Sequence, residues 1–169
     1  VGIGASPGVA IGIVHCLRSA QTEVADQPIG LGDGGVLLHD ALTRTRQQLA
    51  AIQDDTQRRL GASDAAIFKA QAELLNDTDL ITRTCQLMVE GHGVAWSWHQ
   101  AVEQIASGLA ALGNPVLAGR AADLRDVGRR VLAQLDPAAA GAGLTDLPEQ
   151  PCILLAGDPT AHILCCLLY

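Results

Sequence analysis

The feature that most restricts this chain is a succession of narrow apolar stripes at helical spacing that fills its middle. Leu38, Leu42, Thr45, Leu49, Ile52, Thr56 and Leu60 fall on one face of a long helix, since their spacing alternates steps of three and four residues. The opposite face carries Arg44, Gln47, Gln48, Asp54, Asp55 and Arg58, as a solvated side should. A second helix is expected after a cap at Ser63 or Asp64, with Ile67, Ala70, Leu74 and Leu75 along it. Asn76-Asp77-Thr78-Asp79 offers competing caps inside this stretch, so a kink or restart is expected there. Leu80, Ile81, Thr84, Leu87 and Met88 follow, with Gly91 as the stop. A third helix carries Val94, Trp98, Val102, Ile105, Leu109 and Leu112 and ends at Gly113-Asn114-Pro115. A fourth carries Leu117, Ala121, Leu124, Gly128, Val131 and Leu135 and is closed by Asp136-Pro137. Such helices cannot bury their apolar faces singly. An antiparallel four-helix bundle over residues 36–136 follows.

Composition agrees with helices rather than a β-sandwich. Apolar residues make up 49% of the 169, but aromatics only 2%, so the core must be filled by Leu, Ala, Val and Ile. With only Trp96, Trp98, Phe68 and Tyr169 as ring side chains, stacking on exposed bases is nearly excluded. Eleven Lys and Arg against 18 Asp and Glu give a net charge of −7, which repels phosphate backbones and anionic lipid and suits a basic protein partner. Neither a nucleic acid nor a membrane is expected as partner.

The flanks read differently. Residues 2–17 suggest two short strands around a Ser6-Pro7-Gly8 turn, and residues 18–35 a connector in which apolar periodicity stops. Residues 137–150 form an Ala/Gly-rich linker, and the run from Pro151 to Ala156 reads as a buried returning strand within residues 151–160. The expected architecture is mainly α, a bundle inserted into an incomplete α/β domain whose first strands lie in residues 1–18. No cationic stretch precedes the apolar residues from Gly2 to Leu17, so no signal peptide is expected. Beginning at Val1 without Met suggests a processed chain, an excised fragment or a piece of a longer fusion. Cys16, Cys85, Cys152, Cys165 and Cys166 form no C-x-x-C pair and read as reduced thiols packed as small apolar residues in a cytoplasmic protein.

Few constellations suggest chemistry on their own. Gly2, Gly4 and Gly8 miss the dinucleotide-binding spacing by one residue and lack a preceding strand. His92 and His99 are too far apart for a helical zinc pair, and His162 with Cys165 and Cys166 lacks a fourth ligand. Neither a Walker A sequence nor a G-x-S-x-G elbow occurs. Asp64, Glu73, Asp77 and Asp79 are either an ordinary solvated face or, with Leu74, Leu75 and Leu80 beside them, an acid-rimmed apolar patch for a basic partner.

Four longer stretches together resemble one family: GIGASPGVAIG at 2–12, AIFKAQAELLNDTDL at 66–80, GRAADLRDVGRRVL at 119–132 and ILLAGDPT at 153–160. In this order and spacing the chain is similar to the amino-terminal part of bacterial phosphoenolpyruvate-protein phosphotransferases, Enzyme I of the sugar phosphotransferase system. The missing Met also fits the multiphosphoryl transfer proteins, in which such a region follows a carrier domain. The resemblance implies a helical subdomain that binds the small phosphocarrier HPr, inserted into a swivelling phosphohistidine domain. A histidine of that domain takes the phosphoryl group and passes it to a histidine of HPr, while phosphoenolpyruvate and Mg²⁺ belong to a carboxy-terminal barrel. No cofactor is expected in this chain itself.

Carried over by position, the carrier-docking residues are Leu74, Asp79, Leu80, Leu109, Leu117 and Arg120. Leu109 and Leu117 also fit the bundle stripe, and Arg120 and Arg125 also fit intrabundle ion pairs. Gln71 stands where His is common, Glu73 where Met is common, and Thr78 replaces an acid. The family's phosphorylated histidine lies in a Gly-Gly-x-Thr-Ser-His motif, whereas no Thr-Ser-His occurs here and His162 does not match it. Residues 161–169 match nothing in the family. The expectation is therefore a truncated or frame-shifted amino-terminal region, monomeric, that docks HPr without phosphorylating itself. A stand-alone HPr competitor and a bundle without retained function are the alternatives.

Overall fold

The computed structural model describes residues 9, 11–17, 23–138 and 152–156. The element order is β1 (Ile13–Leu17), α1 (Leu31–Arg59), α2 (Ala62–Leu74), α3 (Thr78–Val89), α4 (Val94–Ala111), α5 (Pro115–Leu135) and β2 (Cys152–Ala156). The chain divides into two compact units, one of Val1–Gln21 with Ala142–Tyr169 and one of Thr22–Gly141. In the first, β1 and β2 pair in parallel with Ile13 opposite Cys152 and Leu17 opposite Ala156. The Ser6-Pro7-Gly8 turn, the remainder of the 137–150 linker beyond Ala138, and His162, Cys165 and Cys166 lie outside the described residues.

The second unit is a helical bundle, mainly α as the stripes imply, but with five helices rather than four. The restart at residues 76–79 is a complete break. α2 ends through three successive i→i−3 bonds: Leu75 N–H to Ala72 O, Asn76 N–H to Glu73 O and Asp77 N–H to Leu74 O, at 3.0–3.2 Å. Asp77 then caps α3, its Oδ1 accepting from the Asp79 and Leu80 amides at 2.9 and 3.2 Å. The expected cap at Ser63 or Asp64 is replaced by Gly61, at φ 106°, ahead of an α2 that begins at Ala62. α1 also starts earlier than the connector reading allowed. Leu31 to Gly35 are helical, and Gly34 lets α1 approach Met88, whose Cε would stand 2.7 Å from any added Cβ. That packing offsets a glycine cost of about 1 kcal/mol.

The core is the one the long stripes describe. Leu38, Leu42, Thr45, Leu49 and Thr56 of α1 are buried, as are Leu80, Thr84, Leu87 and Met88 of α3 and Ala121, Leu124, Gly128 and Val131 of α5. Each fully buried leucine such as Leu49 contributes about 1.5–3 kcal/mol. Buried Thr45 and Thr84 satisfy themselves: their hydroxyls donate to the carbonyls of Ala41 and Leu80, both at 2.8 Å. Trp98 is fully buried and its indole N–H donates to Gly128 O at 2.9 Å, tying α4 to α5. In α2 the sequence stripe is rotated. Ala65, Phe68, Gln71 and the following Leu75 are buried, while Ile67 and Ala70 are exposed. The real stripe holds a small residue and a polar one, so it does not stand out as apolar. Cys85 is a free thiol, exposed rather than packed.

Candidate functional site

Antiparallel connections bring three helix ends together. α3 and α4 run antiparallel across the loop at residues 90–93, with Arg83 Nε 2.8 Å from Gln104 Oε1. α4 and α5 do the same across residues 112–114: Arg125 meets Glu103 at 3.0 Å and the Ser107 hydroxyl at 3.1 Å. The start of α3, the end of α4 and the start of α5 therefore share one end of the bundle, and the α2–α3 turn joins them there.

Five of the six predicted docking residues keep surface at this end. Leu74 closes α2, Asp79 is the second residue of α3, Leu109 lies in the last turn of α4, and Leu117 and Arg120 in the first two turns of α5. Asp79 and Arg120 are exposed, and Leu74, Leu109 and Leu117 half-buried. Leu80 differs. It is 1% exposed and belongs to the core, because its position after the Asp77 cap turns it inward with Thr84 and Leu87. Arg125 forms the intrabundle pair with Glu103, whereas no ion pair of Arg120 occurs among the described residues.

Two residues missed by the sequence reading lie between Leu109 and Leu117. Leu112 is 67% exposed and Val116 71% exposed, so this end carries uncovered apolar surface with Asp79 and Arg120 as charged neighbours. Leu112 counts as a stripe residue by spacing, but it follows the last residue of α4 and leaves the core. Val116 follows Pro115, and its amide is held by the Asn114 cap at 2.8 Å, which fixes where α5 begins. A valine directly after the Asn114 cap and Pro115, off the α5 stripe, was the available signal.

The acidic residues separate into two places. Glu73, Asp77 and Asp79 are exposed around the α2–α3 turn, but Asp64 sits in the first turn of α2, about 14 Å along the axis from Glu73. Gln71 is 1% exposed and is not part of the surface patch. Its Nε2 donates to Asp126 Oδ2 at 3.3 Å, clipping α2 to α5, while Asp126 also faces Arg129 and Arg130 at 3.5 and 3.6 Å. Burial first, then the nearby Asp126 charge, raises the Asp123 carboxyl above its ordinary value. Among the described residues no cluster of three His, Cys, Asp or Glu could hold a metal ion. No described helix is long and apolar enough to cross a membrane.

Residues 1–120 match the family model described as PEP-utilising enzyme, N-terminal. The chain belongs to this family. Within it, the chain is 99% identical over 158 residues to a multiphosphoryl transfer protein of Xanthomonas campestris pv. campestris, a match covering 94% of this chain and 19% of that protein. It is 32% identical over 136 residues to a phosphoenolpyruvate-protein phosphotransferase of Staphylococcus carnosus, covering 79% of this chain and 24% of that protein. A solution structure of an Enzyme I protein matches 95% of this chain and 66% of its own length, with TM-score 0.67 and 27% identity. The chain thus spans about a fifth to a quarter of the length of these curated relatives. It shares its mainly helical fold with that Enzyme I structure.

Proposed function

We propose that this chain is the carrier-docking part of a phosphoenolpyruvate-dependent phosphotransferase, and that the phosphocarrier HPr binds the end of the bundle formed by the α2–α3 turn and the α4–α5 connection. The relatives are named a multiphosphoryl transfer protein and a phosphoenolpyruvate-protein phosphotransferase, which supports a role in phosphoryl transfer. The observation that carries the docking reading is the convergence of Leu74, Leu109, Leu112, Val116 and Leu117 with the charged Asp79 and Arg120 at one end. An apolar centre with a charged rim is how a specific interface excludes water while fixing orientation.

The reaction served is transfer between two imidazoles, in sugar uptake at the cytoplasmic face. A neutral ring nitrogen is nucleophilic near physiological pH, and the phosphoramidate it forms is a good donor. Little covalent work then falls to the bundle. Its contribution is positional: a docked carrier has its histidine held in line for transfer instead of arriving by chance.

Val116→Asp tests the reading, since Val116 is exposed and its replacement leaves the core intact. A charge placed in the apolar centre is expected to weaken HPr binding at least about tenfold in calorimetric titration, with an unchanged melting temperature. Undiminished affinity would remove the α4–α5 connection from the docking surface.

A further inference from the structure

The α2–α3 turn presents Leu74 and Asp79, yet α2 brings no basic residue to its own last turn. The final carbonyls of a helix lack intrahelical donors and carry partial negative charge, which a nearby cation stabilises. That cation comes from α1. Arg46 Nη2 lies 3.3 Å from Leu75 O and 3.1 Å from Asn76 Oδ1, and Asn76 Nδ2 in turn reaches Glu73 Oε2 at 3.5 Å. One guanidinium group, 29 positions back along the chain from Leu75, thus fastens the exit of α2. Asp77 fastens the start of α3 through the Asp79 and Leu80 amides. The segment between Leu74 and Asp79 is held at both ends.

We propose that Arg46 is a positioning residue of the docking end, setting the spacing at which Leu74 and Asp79 meet the carrier. The inference rests on the docking reading above and deepens it. A turn held before binding need not be ordered during binding, so its tether appears as affinity. Arginine suits the place because the two N–H bonds on Nη2 diverge in a rigid plane toward two acceptors. Lysine keeps the charge but not that geometry.

The test compares the full ¹⁵N-labelled chain with Arg46→Ala and Arg46→Lys, measuring HPr affinity by NMR titration and amide hydrogen exchange in the free protein. Arg46→Ala is expected to bind HPr about three- to tenfold more weakly. The Asn76 and Asp77 amides should exchange faster, while those of α4 and α5 are unchanged. Arg46→Lys should recover part of the affinity. If Arg46→Ala binds as the wild type does, or loses affinity only with protection lost throughout the bundle, the positioning role is overturned and docking stands. If Arg46→Ala does not fold, Arg46→Lys decides: intermediate affinity supports the role and wild-type affinity refutes it. Absence of any shift in the wild type overturns the docking reading, and the role of Arg46 falls with it.

Discussion

Gly128 shows how much one side chain's absence can decide. It faces α4, accepting the Trp98 indole N–H at its carbonyl, and an added Cβ would stand 2.7 Å from Val102 Cγ1. Gly128→Ala should therefore cost about 1–3 kcal/mol in urea denaturation, despite alanine's better helix propensity. A stabilised variant would contradict the close approach. Spacing alone places Gly128 on the α5 stripe, correctly, but the partner that requires glycine is on another helix and invisible to periodicity. The same limit explains Gln71 and Leu80. Gln71 looks like a surface substitution until Asp126 is seen beside it, and Leu80 looks like a docking leucine until the Asp77 cap fixes its rotation.

At the scale of elements, the long stripes of α1, α3, α4 and α5 were legible because Leu, Val and Trp mark them. The α2 stripe was not, because Ala65 and Gln71 carry no apolar signal. By sequence the segment ahead of α1 is only a connector, yet it holds the start of α4. Gly93 gives α4 no capping side chain, and Asp26 supplies one from outside: its Oδ1 accepts the Gly93 N–H at 2.7 Å, and Oδ2 lies 2.7 Å from His92 Nδ1. His92 also stacks on Trp96, with centroids 4.2 Å apart. An added Cβ at Gly93 would collide with the Gln27 carbonyl, so the segment lies close against this helix start. The Gly93 amide first, then the bond to His92, holds the Asp26 carboxyl below its ordinary value of 3.8. A depressed carboxylate stabilises the fold above its unfolded pKa and loses that contribution as pH falls through the folded one. Asp26→Asn should therefore be less stable than wild type at neutral pH, with the gap closing in acid. A gap that does not change with pH in denaturation experiments would refute the ionised cap.

For the whole molecule, the insertion of helices between two strand segments was visible as a change of period, from short apolar runs to helical stripes and back. The proposed docking end was only partly visible. Its predicted members lie on α2, α3, α4 and α5, and sequence distance says nothing of how they converge. Antiparallel pairing supplies that, through Arg83 with Gln104 and Arg125 with Glu103, and it adds Leu112 and Val116. Whether HPr docks at this end is read out by a titration of the ¹⁵N-labelled chain with unlabelled HPr. Saturable shifts should cluster at Leu74, Asp79, Leu109, Leu112, Val116, Leu117 and Arg120, leaving the opposite end around His92 and Gly93 unmoved. Shifts centred on His92 and Gly93, or none at millimolar HPr, would contradict docking at this end.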